Sequence, residues 1–310
     1  MPHAEILRTS DGDGDSEEHY MLLEKMATCF GCRLAGDKVG KLRHKYFERL
    51  LQFWIRVPQQ GDWSEAKIYL EKALAGYKEI LGAEHAYTLW CMAVLVETYN
   101  RLENWEIAEE LGEQVTRMRK EVLGAEHPAT LESMADLVWI FYRKEQYQKA
   151  EELGLRVMET RLKVLKEEHP DTLKSMGELA TIYRELGRLE EAEELDTKVF
   201  QIEVRILGPE HPDTLTTMKN LALIYKDQGR LEEAENLELE ALETSARILG
   251  SEHPGTLIAM NNLAWTWRKQ GRLKEADGLM EKCIPLSFKK LGYDHPETQK
   301  RLDYWPHLGI

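Results

Sequence analysis

Apolar and polar positions follow one another along this chain with a helical rhythm, and the rhythm itself returns every 42 residues. Each unit is counted here from the Leu of a Leu-x-x-acid-His phrase, at Leu81, Leu123, Leu165, Leu207, Leu249 and Leu291. Position 9 is then always Leu (Leu89, Leu131, Leu173, Leu215, Leu257) and position 12 always Met (Met92, Met134, Met176, Met218, Met260). Position 15 is again Leu, and position 19 is aromatic (Tyr99, Phe141, Tyr183, Tyr225, Trp267). Steps of three and four residues put these side chains on one helical face. They predict a helix A whose stripe has to be covered. A break follows at positions 21–24, where Gly187, Gly229 and Gly271 suit a left-handed helix stop. A second periodic run has Ala at position 28, Leu at 31 and a small apolar residue at 35, as in Ala192, Leu195 and Val199. This predicts a helix B that packs closely through its small column. Pro128, Pro170, Pro212, Pro254 and Pro296 follow the linker His and suit the first turn of the next helix A, where a missing N–H is harmless.

Helix, tight turn, helix and linker repeated at this period mark an all-α solenoid, in which each unit hides its apolar face only by stacking on neighbours. Five full repeats run over 81–290. One period earlier, Gly61, Trp63 and Ala66 fall on matching columns, so 62–80 reads as another helix B and 39–80 as a degenerate capping repeat. Its first half, about 40–57, is rich in Tyr46, Phe47, Leu50, Leu51, Phe53 and Trp54 instead of the Leu/Met pattern. Residues 291–310 begin a unit and stop, with Gln299 where Leu belongs and Pro306 ending the helix, as expected of a half-repeat cap. A disordered acidic tail is expected over 1–16 and a helical segment over 17–38.

The formal net charge is −14, which disfavours nonspecific binding to nucleic acid or anionic lipid. No run of 18 apolar residues predicts a membrane span, and the polar start has no signal-peptide core. Four cysteines fit a reducing compartment, so a cytoplasmic protein is expected.

Candidate chemistry mostly dissolves on inspection. The six linker histidines invite a metal, but ligands sit about 2 Å from one ion. Stacked equivalents stand at least one interhelix spacing of about 8–10 Å apart, so a capping role is expected. Cys29 and Cys32 have the gap of a zinc or redox pair but no second pair, because Cys91 and Cys283 occupy small core columns. Asp11-Gly-Asp13-Gly-Asp15 fails as a calcium loop at Ser16 and Leu22. The stretch Gly36 to Leu42 fails as a phosphate loop in spacing and in the residue after Lys41. The glutamate pairs Glu109-Glu110, Glu151-Glu152 and Glu193-Glu194 are expected to face solvent, without a partner for acid–base work. No catalytic centre, metal or cofactor is expected.

Leu179-Ala180 followed by Tyr183, with Ala192 nine residues on, resembles the core arrangement of the tetratricopeptide repeat. The 42-residue length and the Leu-Gly-x-Glu-His-Pro-x-Thr linkers are similar to the kinesin light chain type, fungal versions in particular. The resemblance implies a right-handed superhelix whose helix A residues line a concave groove for extended peptides. Leu at position 31, in place of an aromatic one residue later, departs from the family pattern and leaves the register of helix B open.

Groove function is expected where repeats disagree, at helix A positions 13, 17 and 20, which lie about 100° from the buried stripe. These positions, with position 14, supply the candidate residues Trp139, Tyr142, Arg184, Lys219, Asn220, Lys226, Asn261, Asn262, Trp265 and Arg268. Asn220 and Asn262 are placed like the groove asparagines of kinesin light chains. The expected function is a non-enzymatic scaffold for an extended peptide with acidic and aromatic residues: amides for its backbone, Arg184, Lys226 and Arg268 for carboxylates, aromatics for side chains. The alternatives are a self-assembling, homo-oligomeric or sensing array related to fungal nucleotide-binding receptors, and, third, an enzyme acting in the groove.

Overall fold

A computed structural model describes residues 63–308. The expectations for 1–16, 17–38 and the aromatic stretch near 40–57 lie outside the described residues, as does the Cys29/Cys32 pair. Among the described residues twelve α-helices follow one another: α1 (Trp63–Leu81), α2 (Ala86–Arg101), α3 (Trp105–Leu123), α4 (Pro128–Arg143), α5 (Tyr147–Leu165), α6 (Pro170–Glu185), α7 (Leu189–Ile206), α8 (Pro212–Asp227), α9 (Leu231–Ile248), α10 (Pro254–Lys269), α11 (Leu273–Leu291) and α12 (Pro296–Tyr304). A short 3-10 turn, Pro306–Leu308, comes last, and no strand occurs among the described residues. The predicted A and B helices are therefore the pairs α2–α3, α4–α5, α6–α7, α8–α9 and α10–α11.

The chain divides into two compact units between Ile182 and Tyr183, within α6. In the first, α1 to α5 each pack on the next, and α2 also reaches α4. In the second, α7 through α12 pack successively in the same manner.

Each helix A starts by one device. The linker His takes extended backbone (His127, φ −68°, ψ 137°), and its Nδ1 accepts a hydrogen bond from the N–H two residues on. His85, His169, His211, His253 and His295 do the same at 3.1–3.2 Å. These contacts satisfy an otherwise orphaned donor, the usual work of an N-cap. A buried Thr at position 8 ties the linker down: Thr88, Thr130, Thr214 and Thr256 each donate to the carbonyl of the linker Gly. In the third repeat Lys166 replaces that Gly at φ 73°, ψ 173°, a region nearly reserved for glycine, and the Thr172 hydroxyl has no partner.

The alanine column of helix B is fully buried at Ala108, Ala150, Ala192, Ala234 and Ala276. The register left open by sequence resolves one residue away from the Leu column. Leu111, Leu153, Leu195, Leu237 and Leu279 are half-buried, whereas the innermost residues stand at position 32: Gly112, Gly154, Asp196, Glu238 and Met280. At Gly112 a Cβ would come 2.9 Å from Leu137, so nothing larger fits without repacking. Position 35 is buried as expected.

Glu109 and Glu193 correct the solvent-facing expectation, and Glu235 takes the same role one repeat after Glu193. Glu193 accepts from Gln228 and Arg230, and Glu235 accepts from Gln270 and Arg272, which pins each A–B turn to the helix B before it. Lys144 bridges to Glu109 in the same way. Arg230 also lies 4.1 Å from the Tyr225 ring centroid, a cation–π contact. These carboxylates are repeat-to-repeat clamps.

Two stability measurements follow. His211→Ala should lose about 1 kcal/mol in thermal or urea unfolding while His211→Asn, which keeps an acceptor, loses a few tenths. Lys166→Gly should gain about 1 kcal/mol by relieving the glycine-only backbone; unchanged stability would mean that Lys166 is unstrained.

Candidate functional site

The helix A faces at positions 13, 14, 17 and 20 carry the candidate residues, and each unit is built differently. In the first unit Trp139 on α4 is 43% exposed and stacks on Tyr142, with ring centroids 5.1 Å apart and planes at 18°. Tyr142 in turn tilts against Tyr147 at the start of α5 (5.7 Å, 60°). Position 13 of this unit is small throughout, at Ala93, Ala135 and Gly177.

In the second unit Lys219 and Asn220 sit half-buried on α8, and Asn261, Asn262 and Trp265 sit half-buried on α10. The indole of Trp265 meets Tyr304 edge-on at 5.0 Å and Trp305 at 6.3 Å. Tyr304 is 52% exposed and extends this aromatic surface. The sequence pattern missed it, because the last repeat abandons the Leu/Met spacing that marks a helix A.

The cationic ladder proves to be engaged within the chain. Arg184 pairs with Glu185 at 2.5 Å and lies 3.9 Å from Asp227. Arg268 donates to the Tyr304 carbonyl at 2.9 Å and stands over the rings of Trp265 and Trp305. Lys226 is buried, its ammonium 2.7 Å from Glu238, and Thr266 donates to the other oxygen of the same carboxylate at 2.5 Å. Position 20 looks onto position 32 of its own helix B, so Lys226 meets a carboxylate of its own chain. The missing signal was the position 32 column, hidden behind the neighbouring Leu column. Lys219 differs from the other three cations. It has no acidic partner among the described residues, and burial alone lowers its pKa.

Asp196, the position 32 residue one repeat before Glu238, is fully buried on α7, and neither of its oxygens is hydrogen-bonded to a described residue. Ile224 on α8 stands where the next repeat has Thr266, so the hydroxyl that serves Glu238 has no counterpart here. Burial, with nearby Glu203 adding to it against Arg184, pushes the Asp196 carboxyl from 3.8 to about 8.

The thiols of Cys91 and Cys283 are buried against the Leu70 and Leu257 carbonyls, and burial pushes Cys91 up to about 12. They are core residues, as their columns implied. No helix among the described residues is long and apolar enough to cross a membrane.

Comparison with known proteins bears on the fold. One tetratricopeptide repeat profile matches residues 59–121, 95–163, 140–202 and 171–245, and a second matches 256–297. A crystal structure of a putative kinesin light chain from Podospora anserina, with nearly identical tetratricopeptide-like repeats, is 33% identical. That alignment covers 66% of this chain and 97% of that one, with a TM-score of 0.58. BtubC from P. vanneervenii aligns at a TM-score of 0.63 and 16% identity, over 76% of this chain and 95% of its own. NprR in complex with its cognate peptide NprX aligns at 0.60 and 16% identity, over 94% and 79%. No curated protein matches the chain.

Asp196 gives this region a measurable signature. Its folded pKa exceeds its unfolded one, so between pH 4 and 8 the folded state holds the extra proton, and stability falls as pH rises through that window. Asp196→Asn should flatten this slope and, at pH 9, exceed the parent by at least about 1.4 kcal/mol, the equivalent of one pKa unit. Parallel pH–stability curves would contradict a buried titrating carboxyl.

Proposed function

We infer, because this chain belongs to the tetratricopeptide repeat family and is of the kinesin light chain type, that it is a non-enzymatic protein-interaction scaffold whose second unit holds an extended acidic peptide. The observation that carries the reading is Lys219. A half-buried ammonium with no acidic partner among the described residues has lost hydration without gaining a counter-charge. A ligand carboxylate supplies that counter-charge. Asn220 beside it, and Asn261 and Asn262 on α10, offer donors and acceptors to a peptide backbone. Trp265 and Tyr304 offer an aromatic surface for a side chain. Arg184 and Lys226, already paired within the chain, set local charge without being the primary contacts.

Peptide binding by this architecture has support from NprR, which shares the fold and was solved with its cognate peptide. The repeated histidines are engaged as helix N-caps, each Nδ1 accepting from a backbone N–H. Free, buried Cys91 and Cys283 suit a reducing, cytoplasmic setting.

Fluorescence anisotropy with a blocked nonapeptide carrying one Trp among glutamates, against its all-Gln counterpart, tests the assignment. Lys219→Gln should weaken the acidic peptide at least about tenfold, and Lys219→Arg should retain most of the affinity. Equal binding of the two peptides, or indifference to Lys219→Gln, would remove the reading.

A further inference from the structure

The first unit contains the opposite of Lys219. Glu178, at position 14 of α6, is half-buried and makes no hydrogen bond or ion pair with any described residue. Burial raises its pKa, and the nearest cations only partly offset this from a distance: Lys174 one turn earlier, and Arg161, whose guanidinium is committed to the Asp171 carbonyl at 3.0 Å.

Its neighbour across the face follows from the repeat. Trp265 and Tyr304 are 39 residues apart and their rings touch at 5.0 Å. Trp139 and Glu178 stand at the same two positions with the same separation, two helices A in succession. Glu178 thus holds, relative to Trp139, the register that Tyr304 holds relative to Trp265, and the Trp139 indole is backed by Tyr142 and still 43% exposed. Ala135 and Gly177 at position 13 present nothing larger than a methyl group beside them.

We propose that Trp139, Tyr142 and Glu178 form a binding site for the cationic side chain of an arginine or lysine in a partner peptide. The indole face attracts a cation through its quadrupole, and the carboxylate supplies the ion pair that no described residue provides. Arginine fits best, since a planar guanidinium stacks on the ring and donates in plane to the carboxylate. An acidic or plain apolar ligand would leave Glu178 opposed or unpaired. The site goes beyond the Lys219 reading and does not depend on it.

The test uses the full chain, 15N-labelled, with the indole N–H of Trp139 identified through Trp139→Phe. It is titrated with blocked pentapeptides Ala-Ala-X-Ala-Ala in which X is Arg, Lys, Gln or Glu. The Arg and Lys peptides should move that resonance with at least about tenfold higher affinity than the Gln peptide. Glu178→Gln should bring the Arg peptide down to the Gln level, whereas Lys174→Gln should leave it unchanged or tighter. Glu178→Asp, the conservative variant, should retain a preference for Arg if Glu178→Gln proves poorly folded. Equal affinity for Arg and Gln, a preference for Glu, or persistence of the Arg preference in Glu178→Gln would overturn the proposal. Loss of the Lys219 dependence of the acidic peptide, with the Arg preference intact, would sink only the reading of the second unit.

Discussion

No helix in this chain can hide its apolar side without another helix placed in register against it. Helix A has buried residues at positions 9, 11, 12, 15, 16 and 18, as in Leu215, Thr217, Met218, Leu221, Ala222 and Ile224. Such a band is too wide for one neighbour, so it is covered by its own helix B and by the helix B before it. Fully buried alanines let these axes come close, and dispersion contacts accumulate where the fit is tight. The histidine cap, the threonine tie to the linker carbonyl and the glutamate clamp all keep this register, because each joins a turn or linker to the next helix.

Polar residues inside the stack show how far the constraint reaches. Position 39 of helix B holds Arg119 and Arg161 in the first unit, each donating to a carbonyl in the first turn of the following helix A. In the second unit the same column holds Glu203, Ser245 and Ser287. Lys226, Glu238 and Thr266 form a satisfied network, which offsets the desolvation of two charges by mutual attraction and a second hydrogen bond from Thr266. Asp196 occupies the same column without those partners and holds its proton instead. The two repeats differ here at three places, Asp196 against Glu238, Arg184 against Lys226 and Ile224 against Thr266, and only the second pairs its carboxylate.

The exposed helix A faces carry two chemistries. In the first unit the surface is aromatic and acidic around Trp139 and Glu178. In the second it is amide-rich around Lys219. Interaction surfaces gain specificity from such unsatisfied charges, because a wrong partner leaves a half-buried group unpaired.

Much of this was legible in the chain. The period, both helices of each hairpin, the glycine stops at Gly187, Gly229 and Gly271 (φ 76–80°), the proline first turns and the capping role of the histidines follow from local rules. A helix needs its start, stop and stripe whatever surrounds it, so sequence determines them by itself. Which cations remain uncompensated was decided only by the tertiary structure. Lys219, Lys226 and Arg268 look alike along the chain, yet Glu238 twelve residues beyond Lys226, and Tyr304 thirty-six beyond Arg268, engage two of them and not the third. Charge compensation depends on distance in space, and that is set by how helices lie against one another.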